Sequence, residues 1–181
     1  VDCYLAEARG TDLRAEIALY EVARLRRDAL SDPAGALGAL REHRRRFPAG
    51  ALSTEIELSI AELLPRLRRY REALDQTSAL LGAHPRGERA GELYLLRGHV
   101  LREGFGDWAG AEQAYAAAAA AAAPGGGARA ADPASFWRAV CLEKMGRREE
   151  ASQAYRRYLA RARGAHAGEA TRRLEALDRA P

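Results

Sequence analysis

An all-α fold, a solenoid of about four stacked helix pairs closed by a C-terminal capping helix, is predicted by three features of this 181-residue sequence. The apolar fraction is 48% but aromatics make up only 7%, so alanine and leucine dominate it. Those residues form helices, whereas strands favour β-branched and aromatic ones. Glycines Gly10, Gly50, Gly87, Gly125 and Gly164 recur at intervals of 40, 37, 38 and 39 residues, each after a helix-like segment. Between them runs a repeated stripe of an apolar residue, a small residue and a leucine, each three residues apart. One helix pair cannot bury its own apolar face and needs neighbours, so a period of this length means stacked pairs.

The N-terminal segment 1–9 matches the end of a second helix whose first helix is absent. YLAEARG at Tyr4–Gly10 is echoed by YLARARG at Tyr158–Gly164. A solenoid beginning halfway through a unit leaves its core edge open, so the expectation is that this is the C-terminal part of a longer chain. The whole of 1–181 reads as one solenoid, with repeats at 11–50, 51–87, 88–125 and 132–164 and the capping helix at 165–179.

Each repeat reads as helix A, a break, then helix B. The helix A stripe contains Leu19, Leu58, Leu95 and Phe136, then Val22, Ala61, Gly98 and Ala139, then Leu25, Leu64, Leu101 and Leu142. Its small middle position predicts close approach of another helix. Helix B opens on Ala36, Ala73, Ala111 or Ala151, and one turn later on the same face stand Leu40, Thr77, Tyr115 and Tyr155. Breaks carry helix-start chemistry: SDP at Ser31–Pro33, ADP at Ala131–Pro133 and Asp107 before Trp108 place an aspartate cap ahead of the first turn. Thr54 and Glu57 have capping-box spacing. Stops come from Pro48, Pro85 and Pro124 and from the period glycines, which reach positive φ cheaply. Leu174 and Leu177 share one side of the last helix, as a closing cap requires.

Net charge is +4, and of 29 basic residues only Lys144 is lysine. The arginines are spread along the chain rather than gathered in a block. REHRRR (Arg41–Arg46) and RLRRYR (Arg66–Arg71) would attract phosphate, but Glu42, Glu62 and Glu72 interrupt or flank them and no stacking ladder of aromatics accompanies them. Nucleic-acid binding is therefore the disfavoured alternative. The longest apolar run, Ala114–Ala123, is far shorter than the roughly 20 residues that cross a bilayer, so direct membrane insertion of this segment is not expected.

Catalytic patterns are not found. The histidines His43, His84, His99 and His166 form no metal-ligand pair at helical spacing and read as exposed loop or helix-end residues. PGGG at Pro124–Gly127 lacks the Lys-Ser/Thr that holds phosphate, and Cys141 beside the leucine stripe reads as a small buried hydrophobe. The expectation is a protein that is not an enzyme and uses no metal or cofactor. Glu16, Glu55 and Glu92 recur three residues before the stripe, in the first turn of helix A. Arg27, Arg66, Arg102 and Lys144 recur near its end. Both columns suit the helix dipole.

The small residue in helix A, the alanine opening helix B, the aromatic four later and the proline twelve later resemble the tetratricopeptide repeat, most clearly in Ala61…Ala73…Pro85 and in Ala139, Gly146, Ala151 and Tyr155. The units exceed that family's length and lack its opening tryptophan. With their RRFPAG-like ending they are similar to repeats of bacterial cell-envelope proteins, which gives a periplasmic expectation over a cytoplasmic one. The resemblance implies a concave groove lined by helices A that holds a protein or peptide segment. It places the contacts at Glu55, Glu62, Arg66, His99 and Arg102 and implies a monomer or weak oligomer. The family's carboxylate clamp of asparagines and lysines is not expected, since asparagine is absent. A regulatory arm of a larger protein is the remaining alternative.

Overall fold

The computed structural model describes residues 2–10, 12–85, 87–121, 128–161 and 165–179. Its elements are α1 (Asp2–Glu7), α2 (Leu13–Asp28), α3 (Pro33–Arg46), α4 (Ser53–Arg66), α5 (Tyr70–Ala83), α6 (Ala90–Val100) with a π-helical turn (Leu101–Phe105), α7 (Trp108–Ala121), α8 (Ala128–Lys144), α9 (Arg148–Arg161) and α10 (Ala167–Arg179). No strand occurs among the described residues. The chain is an all-α superhelical repeat of helix pairs. It groups into two compact units, 1–76 and 77–181, with the boundary inside α5.

In the first unit α1 packs on α2, α2 on α3 and α3 on α4. Small residues stand where the stripe predicts them: Val22, Ala36, Ala61 and Ala73 are all at most 1% exposed. Leu19, Leu40, Leu58 and Leu64 fill the space around them. In the second unit each helix from α6 to α10 packs on the next, and α6 also meets α8. Here Gly98, Ala111, Ala139 and Ala151 are buried, and the bulk beside them is aromatic: Tyr115, Phe136 and Tyr155 are each 0% exposed. Phe136, Ala139, Val140 and Leu142 of α8 join Tyr155 and Tyr158 of α9 and Ala170 of α10 in one cluster, with Leu174 and Leu177 laid against it. The last helix thus closes this core as a cap.

The close approach has a direct measure at Gly98. A Cβ there would stand 2.4 Å from the ring of Tyr115, so the smallest residue and a large one divide one volume between two helices.

The turns between paired helices share a device that the period glycines do not. Ser31, Arg68, Gly106 and Gly146 all adopt left-handed backbone, with φ of 50, 56, 64 and 73°. Each turns the chain so that the next N–H reaches a carbonyl of the helix just ended: Asp32 to Arg26 (2.8 Å), Arg69 to Leu64 (2.9 Å), Asp107 to Leu101 (3.1 Å) and Arg147 to Leu142 (3.0 Å). Gly10 and Gly50 have no positive φ, contrary to the expectation for them. Gly50 is small because Glu16 lies against it: a Cβ would be 2.2 Å from Oε1 of that carboxylate. Pro48 and Pro85 do follow the ends of α3 and α5, while Pro124, Gly125 and Gly164 lie outside the described residues.

Caps divide in the same way. Asp32 accepts from Gly35 N (2.8 Å) and Asp107 from Gly110 N (2.8 Å), with Pro33 opening α3. The Asp132 cap is not formed: α8 begins at Ala128, so Pro133 sits inside it. Alanines 128, 130 and 131 carry the helix back past the proline, whose missing N–H removes one bond from the opening turns. Nor does Thr54 cap α4, which begins at Ser53 with Leu52 in the capping position and no side-chain bond from it.

Candidate interaction surface

Glu16 supplies what the local capping box does not. Its Oε1 accepts from Leu52 N at 2.9 Å, from a residue 36 positions away, and lies 3.5 Å from Nε2 of His43. Both side chains are sealed, Glu16 at 5% and His43 at 0% exposure. His43 is therefore not the exposed helix-end residue expected: burial holds its pKa below the ordinary imidazole value, against the opposing pull of Glu16. Glu16 does stand in the first turn of α2, as Glu55 does in α4 and Glu92 in α6, but it joins two repeats. Glu92 stays outside, paired with Arg89 at 2.7 Å.

In the first unit, α4 positions three expected contact residues. Glu55 is half-buried, and Glu62 and Arg66, four residues apart, are exposed. Arg27 and Asp28 at the end of α2 hold each other at 2.7 and 2.9 Å. Their mutual bond raises the Arg27 pKa and lowers that of Asp28, with smaller contributions from Glu62 on the arginine and Arg66 on the aspartate. Glu62 and Arg66 of α4 thus lie within electrostatic reach of the Arg27–Asp28 pair at the end of α2.

The second unit holds the other two. His99 lies on α6 and its Nδ1 meets the Tyr115 hydroxyl at 2.9 Å. Burial first, then the charge of Arg102, pushes the His99 pKa down to about 4, while burial raises the Tyr115 phenol. His99 is a neutral, half-buried group at ordinary pH, which corrects the exposed reading. Arg102, in the π-helical turn, lies with its guanidinium carbon 3.7 Å from the centre of the Trp137 ring and pairs with Glu103. Trp137 also meets His99 (5.8 Å) and His166 (5.6 Å) edge-on. His166 in turn stacks on Phe136 at 4.4 Å, nearly parallel. The result is a half-buried aromatic platform on the A helices that fixes a cation flat against an indole, a geometry worth about 0.5–2 kcal/mol. Glu55, Glu62 and Arg66 belong to one unit, and His99 and Arg102 to the other.

Sequence reasoning passed over Trp137. One signal pointed to it: it is one of two tryptophans and follows the stripe residue Phe136, where the helix has no need of a second large ring.

The arginines of the basic cluster at the end of α3 are engaged in the fold. In REHRRR, Arg41 pairs with Glu72 (2.7 Å), Arg44 with Glu57 (3.4 Å) and Arg45 with Glu42, and Arg46 donates to the carbonyls of Ala8 (2.6 Å) and Gly10. Cys141 is fully buried and its thiol is pushed up to about 12, which keeps it protonated, as expected of a core residue. No helix among the described residues is long and apolar enough to cross a membrane.

No family model matches the chain, and no curated protein matches it. Among solved structures it is similar to the crystal structure of a tetratricopeptide repeat protein from Parabacteroides merdae ATCC 43184, with a TM-score of 0.73 and 17% identity. The likeness covers 91% of this chain and 60% of that one, so the chain spans about three fifths of the similar structure's length. In fold, this is a tetratricopeptide-like α-solenoid.

Proposed function

We propose that the chain is a non-catalytic scaffold that holds a segment of a partner protein along the surfaces of its A helices. The observation that carries this reading is the Arg102–Trp137 pair, a preorganised cation on an aromatic surface, flanked by His99 and His166. Arginine and tryptophan dominate binding energy at protein interfaces when they are held rigid before contact. In the other unit Glu55, Glu62 and Arg66, set among Arg27 and Asp28, offer alternating charge that orders a partner by register. On this reading the repeat units are 11–50, 51–87, 88–125 and 132–164, and their A-helix surfaces accept an extended or helical segment. The envelope setting rests on the RRFPAG-like repeat endings alone.

The test is capture of a partner from native lysate by the whole chain, followed by affinity measurement with the charge-swapped Glu62→Arg/Arg66→Glu variant. A loss of about tenfold, the scale of one charged contact, is expected. An unchanged affinity places the contacts elsewhere.

A further inference from the structure

Away from the A-helix platform, the second unit contains a cavity of about 410 Å³ between α7, α8 and α9. Ala119 and Ala154 form part of its wall, and its polar lining is Asp132, Ser135, Arg138, Arg157, Tyr158 and Arg161. The three arginines come from two helices. Arg138 is paired with Glu112 at 2.6 Å. Arg157 and Arg161 stand one turn apart on α9, exposed, and neither makes an ion pair or side-chain hydrogen bond with a described residue. Arg147 and Arg173 find carboxylates, Glu150 and Glu143, whereas here two unneutralised guanidinium groups share one concavity. The opposite charge in the cavity is Asp132, whose field reaches the Tyr158 hydroxyl.

The volume is that of a small-molecule site rather than of a peptide groove, and adjacent guanidinium forks match the oxygens of a phosphoryl group. We infer that this cavity binds a small phosphorylated molecule, its phosphoryl oxygens held by Arg157 and Arg161 and a hydrogen-bond-donating end turned to Asp132. The site is independent of the partner surface proposed above, because none of its lining residues belongs to that surface.

The experiment titrates the intact chain with inorganic phosphate and with phosphorylethanolamine at constant ionic strength, read by NMR of arginine side chains. Saturable binding is expected, tighter for phosphorylethanolamine because its ammonium faces Asp132. Arg157→Gln/Arg161→Gln should weaken both ligands about tenfold or more, and Asp132→Asn should abolish the advantage of phosphorylethanolamine. Arg24→Gln, in the other unit, should change nothing. Non-saturable shifts, or equal weakening by Arg24→Gln, overturn the site. An advantage for phosphorylethanolamine that survives Asp132→Asn overturns the role given to the aspartate.

Discussion

The two units solve the same packing problem with different chemistry. In the first, Leu40 and Val22 are buried in the packing of paired helices, and a buried acid and imidazole, Glu16 and His43, lie together where one repeat meets the start of the next. In the second, Tyr115 and Tyr155 occupy the column of Leu40, against Gly98 and Ala139, and each phenol finds a partner, His99 at 2.9 Å and Glu143 at 2.6 Å. Where that column carries an aromatic ring the neighbouring helix makes room for it, as Gly98 does for Tyr115, and each choice brings its own polar obligation. The first unit meets that obligation with one carboxylate bonded to a backbone N–H, the second with phenol bonds at the base of the aromatic platform.

The largest effect should come from emptying the aromatic column. Phe136→Ala is expected to lower stability by about 3–5 kcal/mol, since the ring is fully buried and touches α9 and the loop before α10. Urea unfolding followed by tryptophan fluorescence reports this unit specifically, because both Trp108 and Trp137 lie in it.

Next in size is a pH effect. The His99 pKa is lower folded than unfolded, so the unfolded chain binds the extra proton. Stability is full above about 6.5 and falls as pH drops toward about 4. The loss attributable to this group is about 3 kcal/mol at most. His99→Gln should flatten the slope of urea midpoint against pH over that window; an unchanged slope would assign it to other groups.

Smaller and of similar size to each other are two disruptions of close approach. Glu16→Ala leaves Leu52 N without its bonded partner and removes the carboxylate 3.5 Å from His43, and should cost about 1–3 kcal/mol, seen as faster hydrogen exchange at the start of α4. Gly98→Ala forces the Tyr115 ring aside and should cost about 1–3 kcal/mol in the same fluorescence assay. Glu16→Ala should leave tryptophan fluorescence unmoved, which separates the two joints.

The smallest effect is a gain. Arg68→Gly puts glycine into a left-handed position that Gly106 and Gly146 already occupy, and should stabilise by about 0.5–1 kcal/mol. Thermal unfolding checks it, and a loss would mean that the Arg68 side chain contributes more than its backbone strain costs.

These particulars mark what the sequence made legible. Ala36, Ala73, Ala111 and Ala151 could be read because a position with no room for a side chain leaves the same mark in every repeat, and all four are fully buried. The left-handed turns were half-visible, since Ser31 and Arg68 carry the conformation without the glycine that announces it. Glu16 has the same first-turn placement as Glu55 and Glu92, so nothing local distinguishes a buried inter-repeat joint from a dipole partner. The difference is made by Gly50 and His43, which only folding brings near. Arg102 was picked for charge at a helix end, while the Trp137 beneath it comes from the next helix A. Side chains that meet across repeats leave no spacing to count.

The most direct test of the scaffold reading is hydrogen exchange of the whole chain with and without its captured partner. Slowed exchange confined to α4, α6 with its π-helical turn, and α8 is the expected result, with the Trp137 indole N–H among the protected groups. Protection on α7 and α9, with those A helices unchanged, would contradict it.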